Sequence, residues 1–471
     1  MLSRQQEEVN KQLVCISIDD LVPRDHLVRK ITSVMDFTFI YGMVEERYSR
    51  NTGRPSIDPV VLVKMVILQY LFGIRSMRQT VAEIEVNVSY RWFLGLGLTD
   101  TVPHFTTFGK NYTRRFVGTG LFEEIFTRVL EQCYERGFVK DDTVYVDATH
   151  IKASANRHKR KKVEIAREAS IYAKELREEI DADRVGHGKK PFEKDEDDED
   201  SGNAPGSKTI TQSSTDPESG MFVKGEHKHD FAYMAQTACD DNGFILGYEV
   251  AAGNVHDSVS FPALYEKLKP LNPCILVMDA GYKTPYIMRR LLKDGVIPLL
   301  PRTDPKTGKG FFRKNEYAYD EYYDCYICPN NLPLAYSTTN REGYREYKSK
   351  RYHCLQCPHR ARCTQSANAT KVVTRHVWQD YMDMAEDCRL TLGMSDVYRR
   401  RKETIERVFA DAKEKHAMRY THYRGNAKLK FEIGMTFTCM NLKKMATWVA
   451  ASSFASDLRL LFRSVLLYHI T

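Results

Sequence analysis

The chain has 471 residues, too many for one small core, so two or three domains are expected. With 42% hydrophobic residues it reads as a folded soluble protein rather than a disordered one. Its formal charge of +8 is only weak evidence for a polyanionic partner. The distribution of charge says more than the sum. Arg157 to Lys162 and Arg399 to Lys402 are basic clusters, and the acidic run Asp195 to Asp200 offsets them in the total. The start, Met1 to Gln6, lacks a signal-peptide pattern. Val60 to Phe72 is too short to span a membrane, and Trp448 to Ile470 is interrupted by Asp457, Arg459 and Arg463. A cytoplasmic location is therefore expected.

Residues 1 to about 50 read as a helical lead-in with an extended piece at Phe37 to Ile40. Asp58 and Pro59 are a good N-cap and first helical residue for the apolar run Val60 to Gly73, which should be a buried helix. Further helices are expected from Ser76, from Phe105 and over Leu121 to Tyr134. This all-helical domain, 1–138, carries Arg75, Arg78, Arg91, Arg114 and Arg115. It fits a DNA-binding module with helix-turn-helix geometry, or a plain bundle with a solvated surface.

Thr143 to Asp147 reads as a strand, and 157–218 as a charged, flexible insertion whose first part, Val163 to Ile180, has helical composition. Strands resume at Phe231 to Thr237 and Phe244 to Val250, with Asp241-Asn242-Gly243 as a hairpin turn. A helix near Ser258 to Leu268, a strand ending at Asp279, a helix over Thr284 to Leu292 and a strand at Ile297 to Leu300 follow. The alternation indicates an α/β fold, a mixed sheet with flanking helices. Its first part is 139–300, and 396–450 returns to it after an insertion over 301–395; 451–471 is a helical tail.

Asp147 and Asp279 each close an apolar, β-branched run, and Glu406 lies in the basic helical run Tyr398 to Lys413. Either aspartate alone is an ordinary acid at a strand end. Three carboxylates converging from separate elements could hold two Mg²⁺ (or Mn²⁺) ions and leave coordination positions for a phosphodiester. Arg399, Lys402, Glu406 and Lys413 are spaced to share one helical face, with Val408, Phe409 and Ala412 as its anchor. Such a face suits a DNA backbone, although for Arg399 to Lys402 alone a solvated helix explains the charge as well. His150, three residues past Asp147, reads either as a phosphate contact or as an ordinary loop histidine. Arg424 is a further candidate for backbone phosphate.

These residues resemble the DDE transposases of bacterial insertion sequences, the cut-and-paste kind with an RNase H-like catalytic domain. Asp147 in Val-Asp-Ala-Thr-His, Asp279 in Met-Asp-Ala-Gly-Tyr and Glu406 in Ile-Glu-Arg-Val-Phe are similar to the family's three acids, in order. Gly253 to Ser258 is similar to a family segment ahead of the second acid, and the region from Arg54 to Phe116 to the family's N-terminal helical domain. The family places a tyrosine seven residues before the glutamate, an arginine four before and a lysine seven after. Lys413 matches, whereas Lys402 fills the arginine slot and Arg399 the tyrosine slot, with Tyr398 one place off. The resemblance implies binding to the element's terminal inverted repeats, metal-dependent hydrolysis at its ends, and joining of the 3′-hydroxyl to target DNA by at least a dimer. The alternatives are a nuclease of similar fold without strand transfer and an idle DNA-binding derivative.

Five of the 11 cysteines lie between Cys325 and Cys363. Cys325-x₂-Cys328 and Cys354-x₂-Cys357, separated by 25 residues, have the spacing of a structural Zn²⁺ ribbon, with Cys363 as an alternative ligand. The segment from Asn330 to Arg351 has few large apolar residues, so a metal staple would help it fold.

Overall fold

A computed structural model describes residues 15–49, 55–165, 172–192, 208–224, 228–303 and 307–468. Eight helices come first: α1 (Ile18–Leu21), α2 (Leu27–Val34), α3 (Phe39–Val44), α4 (Pro59–Leu71), α5 (Met77–Val86), α6 (Val88–Leu94), α7 (Phe105–Asn111) and α8 (Leu121–Glu135). The capping residues read from the sequence act as expected. Asp58 accepts from the Val60 amide with Pro59 in the first turn, and Ser76 accepts from the Gln79 amide. Helix α4 is apolar nearly all round and is buried at ten of its thirteen positions. The extended piece expected at Phe37 to Ile40 is instead the entry to α3, because Phe37 and Ile40 both face the helical core.

The main sheet contains β1 (Thr143–Lys152), β2 (Arg160–Ile165), β3 (Lys208–Ser213), β4 (Gly220–Lys224), β5 (Lys228–Cys239), β6 (Ile245–Ala252), β7 (Ile275–Val277) and β8 (Ile297–Leu299). Helix α9 (Ala173–Gly186) follows β2, α10 (Asp257–Leu268) follows β6, and α11 (Pro285–Lys293) lies between β7 and β8. The order is β2-β3-β4-β5-β1-β7-β8, with β6 also on β5. Pairing is antiparallel from β2 through β1 and parallel for β1–β7–β8. The hairpin joining β5 and β6 turns where expected, with Asp240 accepting from the Asn242 and Phe244 amides.

The expectation of a flexible insertion over 157–218 is corrected for the described part. Its basic stretch is the edge strand β2, registered with β3, and α9 begins only at Ala173. The alternation Lys162-Val163-Glu164-Ile165 is a strand pattern that the charge obscures. The acidic run Asp195 to Asp200 lies outside the described residues.

The cysteine-rich insertion is an antiparallel five-stranded sheet: β9 (Ala318–Asp320), β10 (Cys325–Ile327), β11 (Pro333–Thr339), β12 (Tyr344–Lys348) and β13 (Val372–His376), with α12 (Arg351–Leu355) and α13 (Arg360–Cys363) before the last strand. It has a small core of its own, in which Tyr326, Leu334, Tyr347 and Val373 are buried together. Tyrosines therefore supply the apolar surface that the sequence seemed to lack. The insertion ends near His376 rather than 395. Val377, Trp378 and Ala385 are already in the main core, the last on α14 (Gln379–Leu390).

Helix α15 (Met394–Arg399), a 3₁₀ turn over Arg400–Lys402 and α16 (Ile405–Lys415) come next. The last helix, α17 (Asn426–Tyr468), is one element across the boundary expected at 450. Its Leu429, Ile433 and Phe437 pack on the sheet side, and its Met435, Cys439 and Leu442 on the helical domain. Helix α17 thus joins the two cores. Among the described residues, no helix is long and apolar enough to cross a membrane.

Candidate active site

Parallel pairing of β1 with β7 ends at Tyr145 opposite Val277. Asp147 and Asp279 each lie two residues beyond that last pair, so the two aspartates stand side by side where the β1–β7 pairing ends. Strand β1 continues beside β5, but β7 peels away into a 3₁₀ turn over Ala280–Tyr282. At its far end β1 meets Tyr420 in a parallel bridge with Lys152. Asp147 therefore stands in a notch between β7 and the chain after α16. Each carboxylate is held by the next amide: Ala148 N–H donates to Asp147 (2.8 Å) and Ala280 N–H to Asp279 (2.7 Å).

Arg401 bridges the pair. Its Nη2 is 2.7 Å from Asp147 Oδ2 and its Nη1 3.7 Å from Asp279 Oδ1. The Arg401 side chain is 9% exposed, that of Asp147 22% and that of Asp279 54%. Nη1 of Arg401 also donates to Tyr398 Oη at 3.2 Å. Burial pushes the Asp147 carboxyl up to about 6, against the opposing pull of Arg401 and the Ala148 amide, while Asp279 and Asp257 push it further up. The charge of Arg401 is stabilised by the same contacts.

Asp257 was visible in the sequence only as part of Gly253 to Ser258. It is half-buried at the start of α10, and burial and the proximity of Asp279 raise its carboxyl. A Cβ on Gly281 would stand 3.1 Å from Asp257 Oδ2, so the glycine after Asp279-Ala280 permits this close approach. Gln236, opposite Ala148 on β5, donates to the Asp257 carbonyl (2.9 Å) and to Tyr282 Oη (3.0 Å).

No hydrogen bond or ion pair among the described residues links Glu406 to the pair, although α16 packs against β1. Glu406 is exposed in the first turn of α16. Ile405, Val408, Phe409 and Ala412 bury the other face of α16, as the expected anchor requires. The common face proposed for Arg399, Lys402, Glu406 and Lys413 does not form, because Thr404 has φ −108° and ψ −96° and separates the 3₁₀ turn from α16. Arg399 is exposed and paired with Asp396, Lys402 is exposed, and Arg400 pairs with Asp241 (3.0 Å). Lys413 is half-buried near the end of α16. The exposed Arg424 donates to the Ser154 carbonyl at 3.0 Å.

Tyr398 and Arg401 keep the mutual spacing of three that the family's tyrosine and arginine have, and both stand one residue further from Glu406. The break at Thr404 accommodates that extra residue. The preserved spacing was a signal in the sequence for Arg401.

Other expectations are revised. His150 lies on β1 rather than in a loop, stacked on Phe222 (ring centroids 3.7 Å apart) with Nε2 3.2 Å from the Gly253 carbonyl. It is an odd number of residues from Asp147 and so faces the opposite side of the strand. Arg91 is buried and donates to the carbonyls of Gly97 and Asp100, so it holds the α6 loop. Arg75, Arg78 and Arg114 are exposed.

Asp147 and Asp279 offer the hard oxygen donors that Mg²⁺ or Mn²⁺ takes, and Mg²⁺ sites often use only one or two carboxylates plus phosphate oxygens. Beside Asp147, the buried Thr237 Oγ1 and Gln236 Oε1 have no hydrogen-bond partner among the described residues. The donor chemistry thus fits such an ion at the aspartate pair. Among the described residues, no three His, Cys, Asp or Glu side chains are arranged to hold a metal ion as they stand.

Residues 16–114 match the family model described as Transposase domain (DUF772), and residues 327–446 match Transposase DDE domain. The second match includes Arg401 and Glu406 but neither Asp147 nor Asp279. No curated protein and no solved structure matches the chain. A transposase helical domain followed by a transposase DDE segment identifies the chain as a DDE transposase of an insertion sequence.

Proposed function

We propose that this transposase binds the terminal inverted repeats of its element, hydrolyses the phosphodiester at each end with Mg²⁺ or Mn²⁺, and joins the freed 3′-hydroxyl to target DNA. The observation that carries the reading is the Asp147–Asp279 pair at neighbouring strand ends, bridged by Arg401. The antiparallel set β6, β5 and β1 followed by parallel β7 and β8 supports reading the sheet as RNase H-like.

Asp147 and Asp279 would hold the divalent ions, with Glu406 as the third acid. When bound, the ions supply Lewis-acid stabilisation of the attacking and leaving oxygens of an in-line displacement. Arg401 neutralises the carboxylates in their absence, and a guanidinium freed from that role is suited to a phosphate oxygen. Lys402, Arg399, Lys413 and Arg424 would contact the DNA backbone, which makes affinity fall with salt without conferring sequence preference. Joining two ends requires at least two copies of the chain.

A strand-transfer assay with pre-cut ends tests the reading against a nuclease. Joined products from wild type and none from Asp147→Asn support it. Hydrolysis without joining would make the protein a nuclease of the same fold.

A further inference from the structure

Four cysteines from three separate parts of the insertion line one pocket: Cys328, Cys354, Cys357 and Cys363. Cys328 follows β10, Cys354 is in the last turn of α12, Cys357 is in the turn after it, and Cys363 ends α13. Cys325, which the spacing had paired with Cys328, is not in this pocket. Strand alternation explains the difference. Tyr326 points into the insertion's core and Cys328, two residues on, packs against that core, whereas Cys325 points to the other face, near Asp320 and Asp324. The pair from β10 is therefore split, and Cys363 supplies the fourth thiol.

We propose that Cys328, Cys354, Cys357 and Cys363 bind one structural Zn²⁺ ion as a four-thiolate site. The pocket has a volume of about 20 Å³, room for a single water-sized guest. The turn at the second pair has a knuckle-like shape, with Cys357 N–H reaching the Cys354 carbonyl at 3.4 Å. Two hydroxyls already accompany the sulfurs. Ser349 Oγ is 3.1 Å from Cys354 Sγ and Tyr317 Oη is 3.1 Å from Cys363 Sγ. Both hydroxyls can turn to donate to thiolates, as the outer partners of a metal site do. Lys371, which donates to the Cys363 carbonyl at 3.1 Å, adds a positive charge beside the thiols. The thiols are not drawn onto one point as they stand. Binding requires side-chain rotation and loss of four thiol protons, and both accompany metal uptake in sites of this kind. The insertion has reason to need it, because its buried cluster is small, seven residues among those described.

The test is zinc content of the purified full-length chain, wild type against single Cys→Ser variants, together with the visible spectrum after replacement by Co²⁺. One zinc per chain is expected in wild type and in Cys325→Ser, with a tetrahedral thiolate cobalt spectrum. Loss of most of the zinc is expected in Cys354→Ser and Cys363→Ser. Should those two variants fail to fold, cobalt titration of metal-stripped wild type gives the same answer: a four-thiolate spectrum saturating at one equivalent supports the site. Wild-type chain with no zinc, whether its thiols are free or joined as disulfides, overturns the proposal. So does loss of zinc in Cys325→Ser with retention in Cys363→Ser.

Discussion

Arg401 Nη2 lies 2.7 Å from Asp147 Oδ2, although the two residues belong to elements separated in sequence by the whole insertion. The guanidinium is buried and Asp147 is mostly so, and neither charge is tolerable there alone. Removing one partner should be costly for that reason. Arg401→Met is expected to destabilise the chain by on the order of 3 kcal/mol in urea denaturation. Adding Asp147→Asn should recover part of that loss. Strictly additive effects in the double-mutant cycle would show that the pair is not coupled.

Arg91 differs from the exposed arginines of the helical domain. Its guanidinium donates to the Gly97 carbonyl at 2.7 Å and also reaches the Asp100 carbonyl. Arg91→Ala should lower stability by about 2 kcal/mol, because buried carbonyls lose charged donors. Exposed Arg75→Ala should leave the melting temperature unchanged and weaken DNA binding with a shallower salt dependence. The reverse pattern would contradict these placements.

Gly253 opens the segment that leads to Asp257. A Cβ there would lie 2.6 Å from the Ala232 carbonyl oxygen, a backbone atom of β5 that cannot step aside. Gly253→Ala is expected to cost about 1–3 kcal/mol in thermal or urea unfolding. An unchanged midpoint would show that the two strands have slack at this point.

Glu432, on α17, accepts from the Thr421 hydroxyl, and burial raises its carboxyl from 4.5 to about 7. Below 4.5 it is protonated in both folded and unfolded chains and contributes no pH dependence. As pH rises from there, the unfolded chain releases the proton first, so stability is lost until about pH 7, where the loss is complete. Allowing for partial exposure, the loss is about 2 kcal/mol. Glu432→Gln should remove this decline. Parallel stability-versus-pH curves for the two proteins would refute the assignment.

Helices with capping signals were legible in the sequence because the cap is a local event. Asp58 and Ser76 mark α4 and α5 from a few neighbouring residues. The ends of β1 and β7 were legible for a similar reason, as each is an apolar run closed by an acid. What the sequence concealed depends on distant pairing. The edge strand β2 has a charged face because it lies at the margin of the sheet, and its partner β3 is more than forty residues away. Arg401 is hidden in the sequence because nothing local announces the break at Thr404, and an unbroken helix through it puts Lys402 on the face of Glu406. Spacing alone does not show which side of β10 a thiol faces, and the pocket that Cys328 lines leaves Cys325 out.

The most direct measurement is Mg²⁺-dependent cleavage of a duplex carrying the element's inverted repeats, by wild type and by Asp279→Ala, with DNA binding measured for both. Asp279 is half exposed and its contact with Arg401 is long, so alanine there should leave the fold intact. The expected result is cleavage by wild type only, with binding kept by both. Equal cleavage by the variant would contradict the assignment of Asp279 to the catalytic pair.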